Sequence, residues 1–150
     1  MKAGYTCSTP VGGVATGTAL KTVLSVIAPT QFGVDLKKLH MGFDGVTASA
    51  VPVQVGLWRA TTDGTGTAGS VSQVYGPSIT AGFTSKYNYT AEPTTLTLVD
   101  RFSLTPVGGT LIYDFPLGDT PDCPVSNLFA LRVTAAATVN CHATLWFERA

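Results

Sequence analysis

Apolar residues in this chain return at every second position, in short runs punctuated by Gly and Pro. Val51, Val53, Val55 and Leu57 alternate with Pro52, Gln54, Gly56 and Trp58. Near the end of the chain Cys141, Ala143, Leu145 and Phe147 alternate with His142, Thr144, Trp146 and Glu148. A period of two sends successive side chains to opposite faces of a pleated strand, so each run builds a strand with one face to bury. No segment carries the three-to-four spacing of a convincing amphipathic helix.

The same pattern marks the other strands. Leu20, Thr22, Leu24 and Val26 share one parity, and Pro29 closes that run. Phe32, Val34 and Leu36 start another, the parity slips at Lys37–Lys38, and Leu39, Met41 and Phe43 resume it. One strand with a bulge, or two short strands, would produce that slip. Further strands are expected at Val71–Tyr75, Leu96–Leu104 with an irregularity at Asp100-Arg101, Leu111–Phe115, Leu128–Thr134 and Val139–Glu148. Pro106 to Gly109 reads as a tight turn, Thr61–Gly69 as a polar loop, and Gly76–Pro93 as irregular chain with at most one helical turn. Residues 1–18, rich in Gly, Ser and Thr, read as an extended N-terminal arm or an irregular lead-in strand. The expectation is an all-β, single-domain antiparallel sandwich over residues 19–150, jelly-roll-like, with about eight strands.

Composition bounds the partners. The 150 residues suffice for one domain with its own core. Hydrophobic residues make up 45% but charged residues only 12%, about half of the ~25% usual in soluble domains. Thr, Ser, Gly and Asn must therefore cover much of the surface, which suits burial against neighbouring subunits better than life as a free monomer. Nine basic and nine acidic residues leave no net charge. That argues against nucleic acid, whose phosphates call for a basic face, and against a polybasic membrane-surface protein. No window reaches the ~18 consecutive apolar residues of a membrane-spanning helix. The stretch after Lys2 is broken by Pro10, Gly12, Gly13 and Gly17, against a secretory signal.

Chemistry-bearing residues are sparse. His40 and His142 stand far apart in sequence, each alone among β-type neighbours. No nucleophile elbow, zinc-protease helix, P-loop or dinucleotide fingerprint occurs. Asp114, Asp119 and Asp122 fall close together, but in a sequence of turn composition without calcium-loop spacing. Asn88-Tyr89-Thr90 fits the N-glycosylation pattern, which carries weight only in a secreted chain. Cys7, Cys123 and Cys141 match no zinc or redox spacing and read as small apolar fillers, with a Cys123–Cys141 pair left open. The chain is therefore expected to be no enzyme and to need no cofactor or metal. The candidate partner-binding residues are the aromatics Phe83, Tyr87 and Tyr89 in a polar segment, and Trp58, which stands on the polar parity of its strand. The competing reading has the first three plugging one end of the sandwich.

Four segments bear on kinship: Phe32–Lys38, Gly42–Val53, Tyr113–Gly118 and the ending Trp146–Ala150. Together they resemble small β-rich structural proteins of tailed bacteriophages. The resemblance implies a virion component made in the host cytoplasm. It fits best a capsid decoration (cement) protein on the outer surface of the major capsid protein lattice, often as a homotrimer. It carries no site motif, so it assigns no functional residues. A carbohydrate-binding jelly roll, tail- or fibre-associated and using Trp58, Trp146 or the Phe83/Tyr87/Tyr89 segment as stacking platforms, is the alternative.

Overall fold

The computed structural model describes residues 3–45 and 50–150. Met1, Lys2 and residues 46–49, the middle of the Gly42–Val53 segment that bears on the phage resemblance, lie outside the described residues. The described chain has thirteen strands in two antiparallel sheets and no helix. In order these are β1 (Gly4–Ser8), β2 (Val14–Ala15), β3 (Lys21–Ile27), β4 (Val34–Asp44), β5 (Val53–Thr62), β6 (Thr65–Ala68) and β7 (Val71–Tyr75). Then come β8 (Thr84–Ala91), β9 (Thr94–Leu104), β10 (Thr110–Asp114), β11 (Asp122–Cys123), β12 (Leu128–Thr134) and β13 (Asn140–Arg149). The first sheet runs β10-β4-β13-β1-β7, with β11 beside β4 and β2 beside β13; the second runs β6-β8-β3-β12-β5-β9. The antiparallel sandwich expected from the alternation is what forms.

The core lies between the sheets. Leu36, Leu39, Met41, Leu145 and Phe147 of the first sheet meet Val23, Val26, Val55, Leu57 and Phe129 of the second. Each such side chain, fully buried, contributes roughly 1.5–3 kcal/mol. The parity slip at Lys37 is a bulge: Trp146 faces Lys38 but Phe147 faces Leu36, so one residue of β4 is skipped. The bulge keeps Leu36 and Leu39 both turned inward across the slip.

The second sheet holds a feature that alternation alone does not reveal. β5 passes through Asp63-Gly64 into β6, and β8 passes through Glu92-Pro93 into β9. β5 pairs with β9 and β6 with β8, so residues 53–68 and 84–104 form one long two-stranded ribbon. One half of that ribbon bonds to β12 through β5, and the other to β3 through β8. Since β3 also pairs with β12, the sheet curls and closes over its own outer face. β3 and β12 are consequently buried along nearly their whole length, on both faces. Ala60, Leu128 and Ala130 form a small second core there, with Ile27 and Leu96 against it. The backbones come so close at the bend that a Cβ on Gly64 would lie 2.0 Å from the Ala91 carbonyl oxygen; only glycine fits.

Polar groups pin this closure. The Thr22 backbone N–H donates to Glu92 Oε1 at 2.8 Å, and the Thr22 hydroxyl donates to Glu92 Oε2. Arg132 Nε lies 3.6 Å from the same carboxylate. The Tyr89 hydroxyl bonds Ser25 Oγ and Asp63 Oδ1, both at 2.7 Å.

Two sequence expectations change. The stretch read as an extended N-terminal arm or an irregular lead-in strand is no arm: it supplies β1, which sits inside the first sheet with β13 on one side and β7 on the other. Tyr5 and Cys7 of β1, and Val14 and Thr16 beyond it, are buried. The gain from burying these side chains and filling the ladder outweighs the flexibility that the Gly-rich composition suggested. Likewise the regions read as a polar loop and as irregular chain form β6 and β8, the ribbon's second half. These additions, with the two-residue β2 and β11, raise the count from about eight to thirteen.

Candidate functional surface

Because the ribbon covers the second sheet, the outer face of the first is the broad open surface. Cross-strand register defines its rows. Ile112, His40, Thr144 and Ser8 stand side by side across β10, β4, β13 and β1. The next row is Asp114, Lys38, Trp146 and Thr6. Directly opposed residues point the same way, so these side chains all face outward. Lys38 Nζ lies 4.5 Å from the Trp146 ring centroid and 3.7 Å from Asp114 Oδ1.

One groove on this face, of about 430 Å³, holds both histidines. Its floor is His40, His142, Thr144 and Ser8; its walls are the Pro10-Val11 loop and the Gly108-Gly109 turn. His142 stands opposite Gly42, which has no side chain, and lies diagonally between His40 and Asp44. His142 Nε2 meets Asp44 Oδ2 at 2.7 Å, and Ser8 and Thr144 share a hydroxyl hydrogen bond of 2.9 Å. Hydrogen bonds from the Asn140 side chain, then from His142, hold the Asp44 carboxyl below its ordinary value. The two histidines looked isolated in sequence because only the pairing of β4 with β13 brings them together. The arrangement offers donors and acceptors to a polar partner. Among the described residues no three His, Cys, Asp or Glu side chains are grouped to hold a metal ion.

The four aromatics singled out in the sequence do not share a surface. Phe83 is buried in an aromatic cluster, with ring centroids 5.3 Å from Tyr5, 5.3 Å from Phe32 and 5.0 Å from Phe147. Tyr89 is buried at 2% exposure within the ribbon's hydrogen bonds. Both are core residues, since a ring of that size gains more from burial than a polar segment loses. Tyr87 is half-buried and lines a shallow groove with Thr6 and Ser8. Trp58 is half-buried under the Arg132 guanidinium, 5.5 Å from its ring centroid. Trp146 is the tryptophan on the open face.

The remaining candidates are structural. Asp122 Oδ1 lies 3.9 Å from Arg59, and the Asp119 N–H closes the turn on the Pro116 carbonyl at 2.9 Å. Asn88 accepts from Lys21 Nζ at 2.8 Å. All three cysteines are free and buried. Burial pushes the thiols of Cys7 and Cys141 up to about 12 and that of Cys123 to about 11. No helix of the described chain is long and apolar enough to cross a membrane.

The fold defines an all-β sandwich with one covered and one open outer face. No family model and no curated protein matches the chain. Among solved structures the chain is weakly similar to T=1 particles derived from infectious bursal virus, at 13% identity over 99% of this chain and 38% of that chain, with a TM-score of 0.17. The VP2 subviral particle of infectious bursal disease virus gives 11% identity, 100% and 40% coverage and a TM-score of 0.17. The chain thus spans about two-fifths of those proteins' length.

Proposed function

We propose that this chain is a virion structural protein, a decoration (cement) protein of a tailed phage. It lies on the outer surface of the major capsid protein lattice and stabilises it. The observation that supports this most is the open face of the first sheet: broad, and carrying Trp146 and Ile112 among Thr, Ser and His side chains, with Lys38 paired to Asp114 beside the tryptophan. Such a surface suits a protein partner, with an aromatic anchor amid polar contacts. Repetition over a lattice multiplies a weak single contact by avidity. The test is co-sedimentation of the purified protein with capsids of the phage that carries its gene. Saturable binding, weakened at least tenfold by Trp146→Ala, is the expected result. No sedimentation with capsids would defeat the reading.

The polar groove beside His40 and His142 favours one alternative, a carbohydrate-binding module. Sugar binding on a glycan array, without capsid binding, would select it.

A further inference from the structure

Exposed sheet edges invite unwanted pairing, and proteins blunt them with short strands, charges or bulges. Among the described residues the two sheet paths end at β10, β7, β6 and β9, and three of these four strands are blunted. β6 has four residues and an irregular register. β9 carries exposed Asp100 and Arg101 mid-strand and pairs across an irregularity. β7 borders a register shift, and its Gln73 side chain donates to the carbonyls of Gly76 and Pro77 in the loop that turns back on it. β10 differs. It pairs with β4 in unbroken register and presents Ile112 at 62% and Tyr113 at 43% exposure. Its one charged residue, Asp114, is terminal and lies beside Lys38 of the same molecule.

The order of residues along β10 suits one occupant. In an antiparallel pairing of two β10 strands about a twofold axis through Ile112, Leu111 faces Tyr113 and Thr110 faces Asp114. Each carboxylate then meets a hydroxyl donor and never another carboxylate, which is the charge relation a self-complementary strand needs. Val107 and Leu117, at 62% and 98% exposure, lie in the turns before and after β10.

We propose that β10 is a self-association edge, pairing antiparallel with β10 of a second copy of this chain and joining two first sheets into one. The contact is small beside the ~1,200–2,000 Å² of a standard interface, so the dimer is concentration-dependent. It does not rest on the capsid reading, although Ile112 stands on the face that reading uses. A twofold contact also differs from the threefold association implied by the phage resemblance, which needs two unlike surfaces.

The experiment is sedimentation equilibrium of the full chain over a wide concentration range, with two variants. The wild type should rise from 15.6 kDa to twice that mass. Ile112→Lys sets two ammonium groups face to face at the axis and should remain monomeric, melting as the wild type does at concentrations where both are monomers. Ile112→Cys should form a disulfide-linked dimer on mild oxidation, since directly opposed Cα atoms of antiparallel strands lie about 4.5–5.5 Å apart, within the ~4.4–6.8 Å that a disulfide spans. The buried native thiols do not compete. A wild type that stays monomeric throughout overturns the proposal. So does a trimer, a dimer that Ile112→Lys leaves intact, or an Ile112→Cys variant that does not cross-link.

Discussion

Tyr5→Ala should destabilise the protein by roughly 3–5 kcal/mol, the range for deleting a large buried aromatic side chain. The structure places the cost. The Tyr5 ring is 5% exposed, stacks on Phe147 at 6.0 Å and meets Phe83 edge-on at 5.3 Å. Its hydroxyl donates to the Ile79 carbonyl at 3.2 Å, so Tyr5→Phe isolates that bond, worth about 1 kcal/mol. With ~2–4 °C per kcal/mol in a domain of this size, Tyr5→Ala should lower the melting temperature by roughly 6–20 °C. Urea unfolding followed by tryptophan fluorescence, checked for two-state behaviour with circular dichroism, gives the free energy directly. A change within about 0.5 kcal/mol is what an exposed arm would show. That result would refute the placement of β1 in the core.

Three further outcomes follow from buried chemistry. Ellman's reagent should find no reactive thiol in the native protein at pH 8 and three after denaturation, because burial keeps all three thiols protonated. Stability should fall as pH rises: folding holds the Cys7 and Cys141 thiols near 12 against an ordinary 9.0, so their contribution is complete below about pH 9 and is lost toward pH 12. Denaturant midpoints at pH 8, 9.5 and 11 measure it, and a flat profile contradicts the burial. Glu92→Ala should cost about 3–5 kcal/mol, because it strips the buried Arg132 of its carboxylate. Adding Arg132→Leu should restore part of that loss; a double variant no more stable than Glu92→Ala counts against the pair.

Alternation made much of the sandwich legible. β12 runs over the residues expected, and β13 buries Cys141, Ala143, Leu145 and Phe147 as its parity indicated. The bulge in β4 showed in the sequence as the slip at Lys37–Lys38. What escaped is what pairing decides. Thr65–Ala68 has no apolar alternation of its own and becomes a strand only through β8. Tyr87 and Tyr89 share a parity in a segment otherwise polar, and closure of the ribbon turns Tyr89 into core. Tyr5 and Cys7 alternate, but two positions among Gly, Ser and Thr are too short a signal to mark a strand. The groove on the open face was the least legible part, since His40 and His142 become neighbours only through the register of distant strands.

Electron cryomicroscopy of phage virions assembled with and without this protein would test the proposed capsid role most directly. Density for the sandwich should recur at regular sites on the outer lattice, with Trp146 and the open face of the first sheet turned toward the capsid. Virions whose lattice lacks that density, or a bound sandwich whose open face points to solvent, would contradict it.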